Sequence, residues 1–159
     1  MGIKANFSMA EVSAQLGEWE NTIVDKMVQA LGMLGAKCVN HARKIPKDIG
    51  FEDQTGNLRS SIGFKIFVGG NPVKENYQKV KNGDEGMANG KALADEVGAR
   101  CSDKQIMLVV TAGMEYAIYV ESRGRDVITS SELMAEQMFP EYVKKVEEMV
   151  KRQIKKIGK

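Results

Sequence analysis

The chain has 159 residues, enough for one domain that buries a core without disulfide or metal staples. Hydrophobic residues make up 43% and charged residues 28%, the proportions of an ordinary globular protein, which argues against a disordered chain. A net charge of +2 singles out neither nucleic acid nor a membrane surface as partner, and two distant cysteines with a single histidine leave too few soft ligands for a zinc site.

The opening Met1-Gly2-Ile3-Lys4-Ala5-Asn6 lacks an apolar signal core and has Asn where an acylation signal wants Ser or Thr, so no export signal or lipid anchor is expected. Cys38 and Cys101 are expected to be reduced thiols in a cytoplasmic setting. Ser8 and Glu11 have capping-box spacing, and Val12, Leu16, Trp19, Ile23, Met27, Leu31, Leu34, Cys38, Ala42 and Ile45 follow. Their spacing is close to the ~3.6 residues of a straight helix rather than the ~3.5 of a left-handed coiled coil. One long helix is predicted. Its Met27 to Val39 part is apolar on most sides and is expected to be the most buried half or a subunit contact, with Gly32 and Gly35 permitting a close crossing or a bend. That run is too short for the ~20 apolar residues that span a bilayer, so no membrane helix is expected.

Pro46 stops the pattern, and Asp48, Gly50 and Asp53 mark a turn region. Thr55-Gly56-Asn57-Leu58-Arg59-Ser60-Ser61-Ile62 then forms a joint between helix and sheet: Gly56 allows positive φ, Asp53 and Thr55 can bond local amides, and Leu58 can drop into the core. Ile62, Phe64, Ile66 and Val68 alternate as a half-buried strand over 61–68, ending at Gly69, Gly70 and Pro72. A weaker strand is predicted from Glu75 to Val80. Residues 81–104 turn to Gly, Asp, Glu, Lys and Ala and are predicted to be a long, mobile loop with one short helical possibility at Lys91 to Val97. Gln105 to Thr111 is apolar on both sides and is expected to be the central strand.

After Gly113, Tyr116 to Glu121 fits a helical face and a strand face, and a short helix is preferred. Beyond the turn at Ser122 to Asp126, Thr129 and Glu132 have capping-box spacing and launch a last helix with Leu133, Met138, Tyr142, Val146, Met149, Val150, Ile154 and Ile157 as its stripe. Pro140 is expected to kink that helix or to open a new segment. The sum is a single α+β domain over 1–159, with a long N-terminal helix and a C-terminal helix packed on a small, mostly antiparallel sheet of three to four strands.

No GxSxG, Walker A, GxGxxG or HExxH motif occurs, and no serine or cysteine has a base at recognisable spacing. His41, beside Arg43 and Lys44, suits the cationic end of a helix. No catalytic residue, metal or cofactor is expected. The segment 141–159 carries Lys144, Lys145, Lys151, Arg152, Lys155, Lys156 and Lys159 against Glu141, Glu147 and Glu148. A solvated helix face explains this excess, and a nucleic-acid-binding module is the competing explanation, without interleaved exposed aromatics to support single-strand binding.

Two short signatures resemble the neck and tail-completion proteins of long-tailed bacteriophages, of the Hong Kong and lambdoid kind. The first is Thr55-Gly56-x-Leu58-Arg59-x-Ser61-Ile62 preceded by Pro46; the second is Tyr116-Ala117-x-Tyr119-x-Glu121 followed by Gly124. Strands and a variable loop lie between them in that family and helices around them, so the resemblance covers nearly the whole chain. The chain departs from it by having Ser122 and Arg123, rather than one residue, between Glu121 and Gly124, and by Asp126 to Ser131 in place of a proline-rich motif.

The resemblance implies a structural virion protein, assembled in the bacterial cytoplasm and located at the neck or tail end, that completes the tail of a phage or prophage for joining to the head. Its partners are implied to be itself in a ring, hexameric in the virion with subunits that can stay monomeric when free, and the neighbouring neck and tail-tube proteins. A tail terminator of the same virion region is the close alternative. On this resemblance Arg59 is expected to pair with Asp53 or Glu121, Tyr116 and Tyr119 to pack their element on the sheet, and the long loop and basic helix to meet neighbouring subunits. The competing expectation makes Tyr116, Leu58 and Ile62 ordinary fold determinants.

Overall fold

The computed structural model describes residues 8–157. The expectation about Met1 to Asn6 therefore lies outside the described residues, as does the Glu11 side chain of the first capping box. In chain order the elements are α1 (Met9–Lys44), α2 (Asn57–Ser61), β1 (Ile62–Val68), β2 (Asn71–Tyr77), α3 (Asp84–Gly98), β3 (Ile106–Ala112), α4 (Ala117–Ser122) and α5 (Thr129–Ile157). This is an α+β fold with a three-stranded antiparallel sheet.

The sheet order is β2-β1-β3, so β1, not β3, is central. β3 is apolar on both sides because α1 covers one face of the sheet and α3 the other; two covered faces say nothing about position within the sheet. Ile62, Phe64 and Ile66 of β1 point toward α1 and join Leu31, Val39 and Ala42 in the main core. Phe67, on the opposite face, packs with Ala94 of α3 and Val109 of β3. α5 lies along α1, where Tyr142 and Val146 meet Ala30, Leu34 and Cys38. At Gly35 the sheet lies close against α1, since a Cβ there would sit 2.8 Å from the Phe64 ring. The expected close crossing at this glycine is present.

β2 occupies Asn71–Tyr77 rather than the expected 75–80. Gly69 and Gly70, at φ 56° and 80°, form the two-residue turn that brings Val68 opposite Asn71. Pro72 lies in an edge strand, where its missing N–H costs no ladder bond, and the register shifts by a bulge opposite Ile66 and Phe67.

Residues 81–104 are not a long loop: they hold α3, a helix of 15 residues that includes the short helical possibility at Lys91 to Val97 and extends it on both sides. Its buried positions are Gly86, Gly90, Ala94 and Gly98, one small residue every fourth position. Added Cβ atoms at Gly86 and Gly90 would overlap the carbonyl oxygens of Asn57 and Ser61, and at Gly98 the Phe67 ring. The glycines that lower helix propensity are the ones that let α3 lie directly on α2 and β1. α5 runs through Pro140 as one helix, although proline there removes one backbone bond.

Opposite outcomes are expected for two helical glycines. A Cβ at Gly17 of α1 meets nothing within 4 Å, so Gly17→Ala should stabilise by about 0.5–1 kcal/mol. Gly86→Ala should destabilise by about 1–3 kcal/mol, since the obstacle is backbone. Urea unfolding followed by circular dichroism measures both, and stabilisation by both would contradict the placement of α3.

Candidate functional site

The first signature is a capped joint. Gly56 sits at φ 90° before α2, and the Asp53 carboxylate accepts the N–H of Gly56 at 2.9 Å with one oxygen and that of Arg59 at 2.8 Å with the other. Thr55 Oγ1 accepts the Asn57 N–H at 3.2 Å, as expected of a local cap. Leu58 and Ile62 are buried in the main core, as expected. The Ser61 hydroxyl donates to Leu58 O at 2.8 Å, closing the short helix.

Arg59 differs from expectation: its guanidinium does not pair with Asp53 or Glu121 but donates to the Arg43 carbonyl at the end of α1 and stacks 5.0 Å from the Phe51 ring centroid. Each Asp53 oxygen already accepts a backbone N–H, and Glu121 accepts the N–H groups that open α5. Arg43 in turn donates to Ile62 O at 2.6 Å and to the Gln78 side chain at 3.0 Å. The end of α1 is thus tied to the start of β1 and the end of β2.

The joint also grips the segment that leads into α3. Ser60 Oγ accepts the Val80 N–H at 2.8 Å, Lys81 Nζ donates to Asp53 O at 2.6 Å, and the Asn82 N–H reaches Thr55 O at 3.2 Å. Asn57 then bridges to α3, donating to Glu85 at 3.0 Å and accepting the Gly86 N–H at 3.3 Å. Ser60, Asn57 and Lys81 carry this contact without belonging to a recognisable motif; the fourfold spacing of Gly86, Gly90, Ala94 and Gly98 is the sequence signal that could have found their partner.

The second signature caps the last helix. Glu121 Oε1 accepts the N–H groups of Val127, Ile128 and Thr129 at 3.3, 2.8 and 3.0 Å and the Thr129 hydroxyl at 3.0 Å. Asp126 accepts the Ser130 N–H at 3.2 Å. These carboxylates do the work expected of a Thr129–Glu132 capping box, because the α4–α5 turn brings Glu121 onto the exposed N–H groups. Gly124, at φ 76°, makes the turn, with its N–H on Glu121 O at 2.9 Å.

Ala117 and Val127 join Leu58 and Ile62 in the main core, so the two signatures share one cluster. Partial burial first, and then the Asp53 and Glu85 carboxylates, raise the pKa of the Tyr116 phenol. Tyr116 and Tyr119 do not pack on the sheet: both are exposed, and Arg123 stacks on Tyr119 with its charge 4.3 Å from the ring centroid. The residues of α4 that reach the core are Ala117, which is buried in it, and Val120, which packs against it partly buried.

On the α3 side of the sheet, Lys65 is buried and pairs with Asp95 at 2.7 Å and Glu75 at 3.5 Å, and Glu75 also meets Lys91 at 2.6 Å. Beside them the Tyr77 hydroxyl bonds Thr111 Oγ1 at 2.8 Å and Gly90 O at 3.0 Å. Burial is the main reason that its pKa is pushed up to about 12. His41 Nε2 lies 2.9 Å from Ser130 Oγ, linking α1 to α5. Among the described residues no group of three or more His, Cys, Asp or Glu is placed to hold a metal ion. The arrangement around the signatures caps, clamps and orients helices.

Glu121→Ala should cost about 1–2 kcal/mol by uncapping α5, whereas Glu132→Ala should change stability by no more than about 0.5 kcal/mol. Equal losses in urea unfolding would restore the local capping box. The raised Tyr77 pKa contributes stability that is whole below the unfolded value of ~10 and is lost as pH rises toward the folded one. Tyr77→Phe should therefore cost about 1 kcal/mol at pH ~8 and flatten the fall in stability above pH ~10, as read from unfolding curves along a pH series.

No helix among the described residues is long and apolar enough to cross a membrane. Comparisons with family models, with curated proteins and with solved structures find no match to this chain.

Proposed function

We propose that the protein is a structural component of the head-to-tail neck of a long-tailed bacteriophage or prophage, completing the tail so that it can join the head. The observation that carries this reading is the convergence of the two signatures. Though some sixty residues apart, they meet in one core cluster, where their polar groups serve as helix caps and turn formers. A joint of this kind transmits force and holds an orientation; it needs no catalysis.

The protein acts as a ring of copies, hexameric in the virion, against neck and tail-tube proteins, after assembly in the bacterial cytoplasm. Support for a protein partner comes from α4 and its N-cap residue Tyr116, where Tyr116, Ile118 and Tyr119 are exposed, with Ile118 at 77% exposure. Three large apolar side chains at one short exposed helix suit a contact surface better than open solvent. A tail terminator shares this logic.

Deleting the gene and imaging the lysate by electron microscopy separates the readings. Full heads and tails of normal length should accumulate unjoined, and the intact gene, but not Ile118→Asp, should restore joining. Tails of uncontrolled length would assign the terminator role instead, and joined, infective particles from the deletion would remove the protein from the neck altogether.

A further inference from the structure

The free ends of α1 and α5 carry apolar side chains that the fold does not bury. From residue 13 to residue 29 of α1, and from residue 147 to residue 156 of α5, no side chain is buried. Yet Trp19 and Ile23 face Val150 and Ile154 across a groove of about 270 Å3, and Leu16 is 57% exposed on the same stretch of α1. Helices of this length draw most of their stability from tertiary packing of an apolar face, and here the packing is half made.

Charge says what completes it. α1 carries Glu18, Glu20 and Asp25 in this stretch, against Lys26 alone, whereas α5 carries Lys151, Arg152, Lys155 and Lys156 against Glu147 and Glu148. Among the described residues no ion pair crosses between the two helices here: Arg152 meets only Glu148 of its own helix, at 4.0 Å, and the other cations are in no ion pair. One stretch is net acidic and its neighbour net basic, and among the described residues no ion pair joins the two.

We propose that this two-helix projection packs against the same projection of a second copy, with α1 of each on α5 of the other. Leu16, Trp19, Ile23 and Ile154 then close into a four-helix core, and the acidic side chains of α1 face the basic ones of α5. Nucleic acid is the less suitable occupant. It would meet the basic helix but be repelled by the acidic one beside it, and would leave the apolar groove open. The inference does not depend on the neck reading, although a ring could use the same contact.

Sedimentation velocity of the full chain tests it. Self-association is expected at protein concentrations up to ~200 µM, a range that reaches even weak complexes. It should weaken about tenfold between ~50 mM and ~500 mM salt as the charges are screened. Glu18→Lys with Glu20→Lys, and separately Lys151→Glu with Arg152→Glu, should each yield monomers of unchanged helical circular dichroism. An equimolar mixture of the two variants should associate again, because each then offers the sign that the other lacks. A wild-type protein that stays monomeric overturns the proposal, as does association indifferent to both charge reversals or a mixture that remains monomeric. Salt-sensitive retention of a DNA fragment by a monomeric wild type would also overturn it and assign the basic helix to nucleic acid. None of these results bears on whether the deletion lysate contains joined particles.

Discussion

Everything in this fold is placed by the burial of β1. Its first six residues are shielded from solvent, including Lys65, whose side chain is only 8% exposed. A strand so enclosed must have its backbone groups paired on both edges, which β2 and β3 do, and both faces covered, which α1 and α3 do. Lys65 adds a condition of its own. A buried ammonium is costly unless paired, and its two carboxylate partners come from α3 and β2. The same side chain therefore registers a helix and a strand against β1.

The joint before β1 extends this control to both long helices. Arg59 and Arg43 tie the end of α1 to the first turn of the sheet, Asp53 fixes the start of α2, and Ser60, Asn57 and Lys81 hold the entry to α3. On the far side of the shared core, Glu121 satisfies the opening N–H groups of α5. Movement of either long helix would have to break buried or multiply bonded contacts, so the signatures behave as rigid couplings. Rigidity of that kind is the physical content of the mechanical role proposed for the chain.

Burial is unevenly distributed along the molecule. The body around β1 has two packed faces, and α5 continues the core along α1 to Val146, with Met149 and Val150 packed partly buried against it. Past that level the long helices retain apolar side chains and opposite charges with little to set against them. α4 presents a second unburied apolar surface at the joint. A body that supplies its own stability can carry such surfaces, which a smaller or looser core could not support.

Periodicity by itself determined α1, α5 and β1, because apolar side chains repeat in each at the spacing of its own backbone; at α4 it fitted helix and strand alike. Gly56, Leu58 and Ile62 were legible for the same local reasons: a turn that needs positive φ and two side chains at core spacing. Only the tertiary structure decided the rest. α3 reads as a loop since its glycines count against a helix until the surfaces of α2 and β1 require a residue without a side chain. The apolar run of β3 reads as central because a sequence records that two faces are covered and not which edge is paired. Arg59 and Glu121 both read as members of an ion pair. Their actual partners are backbone carbonyl and N–H groups, which every residue possesses, so only the path of the chain could say which of them would be near.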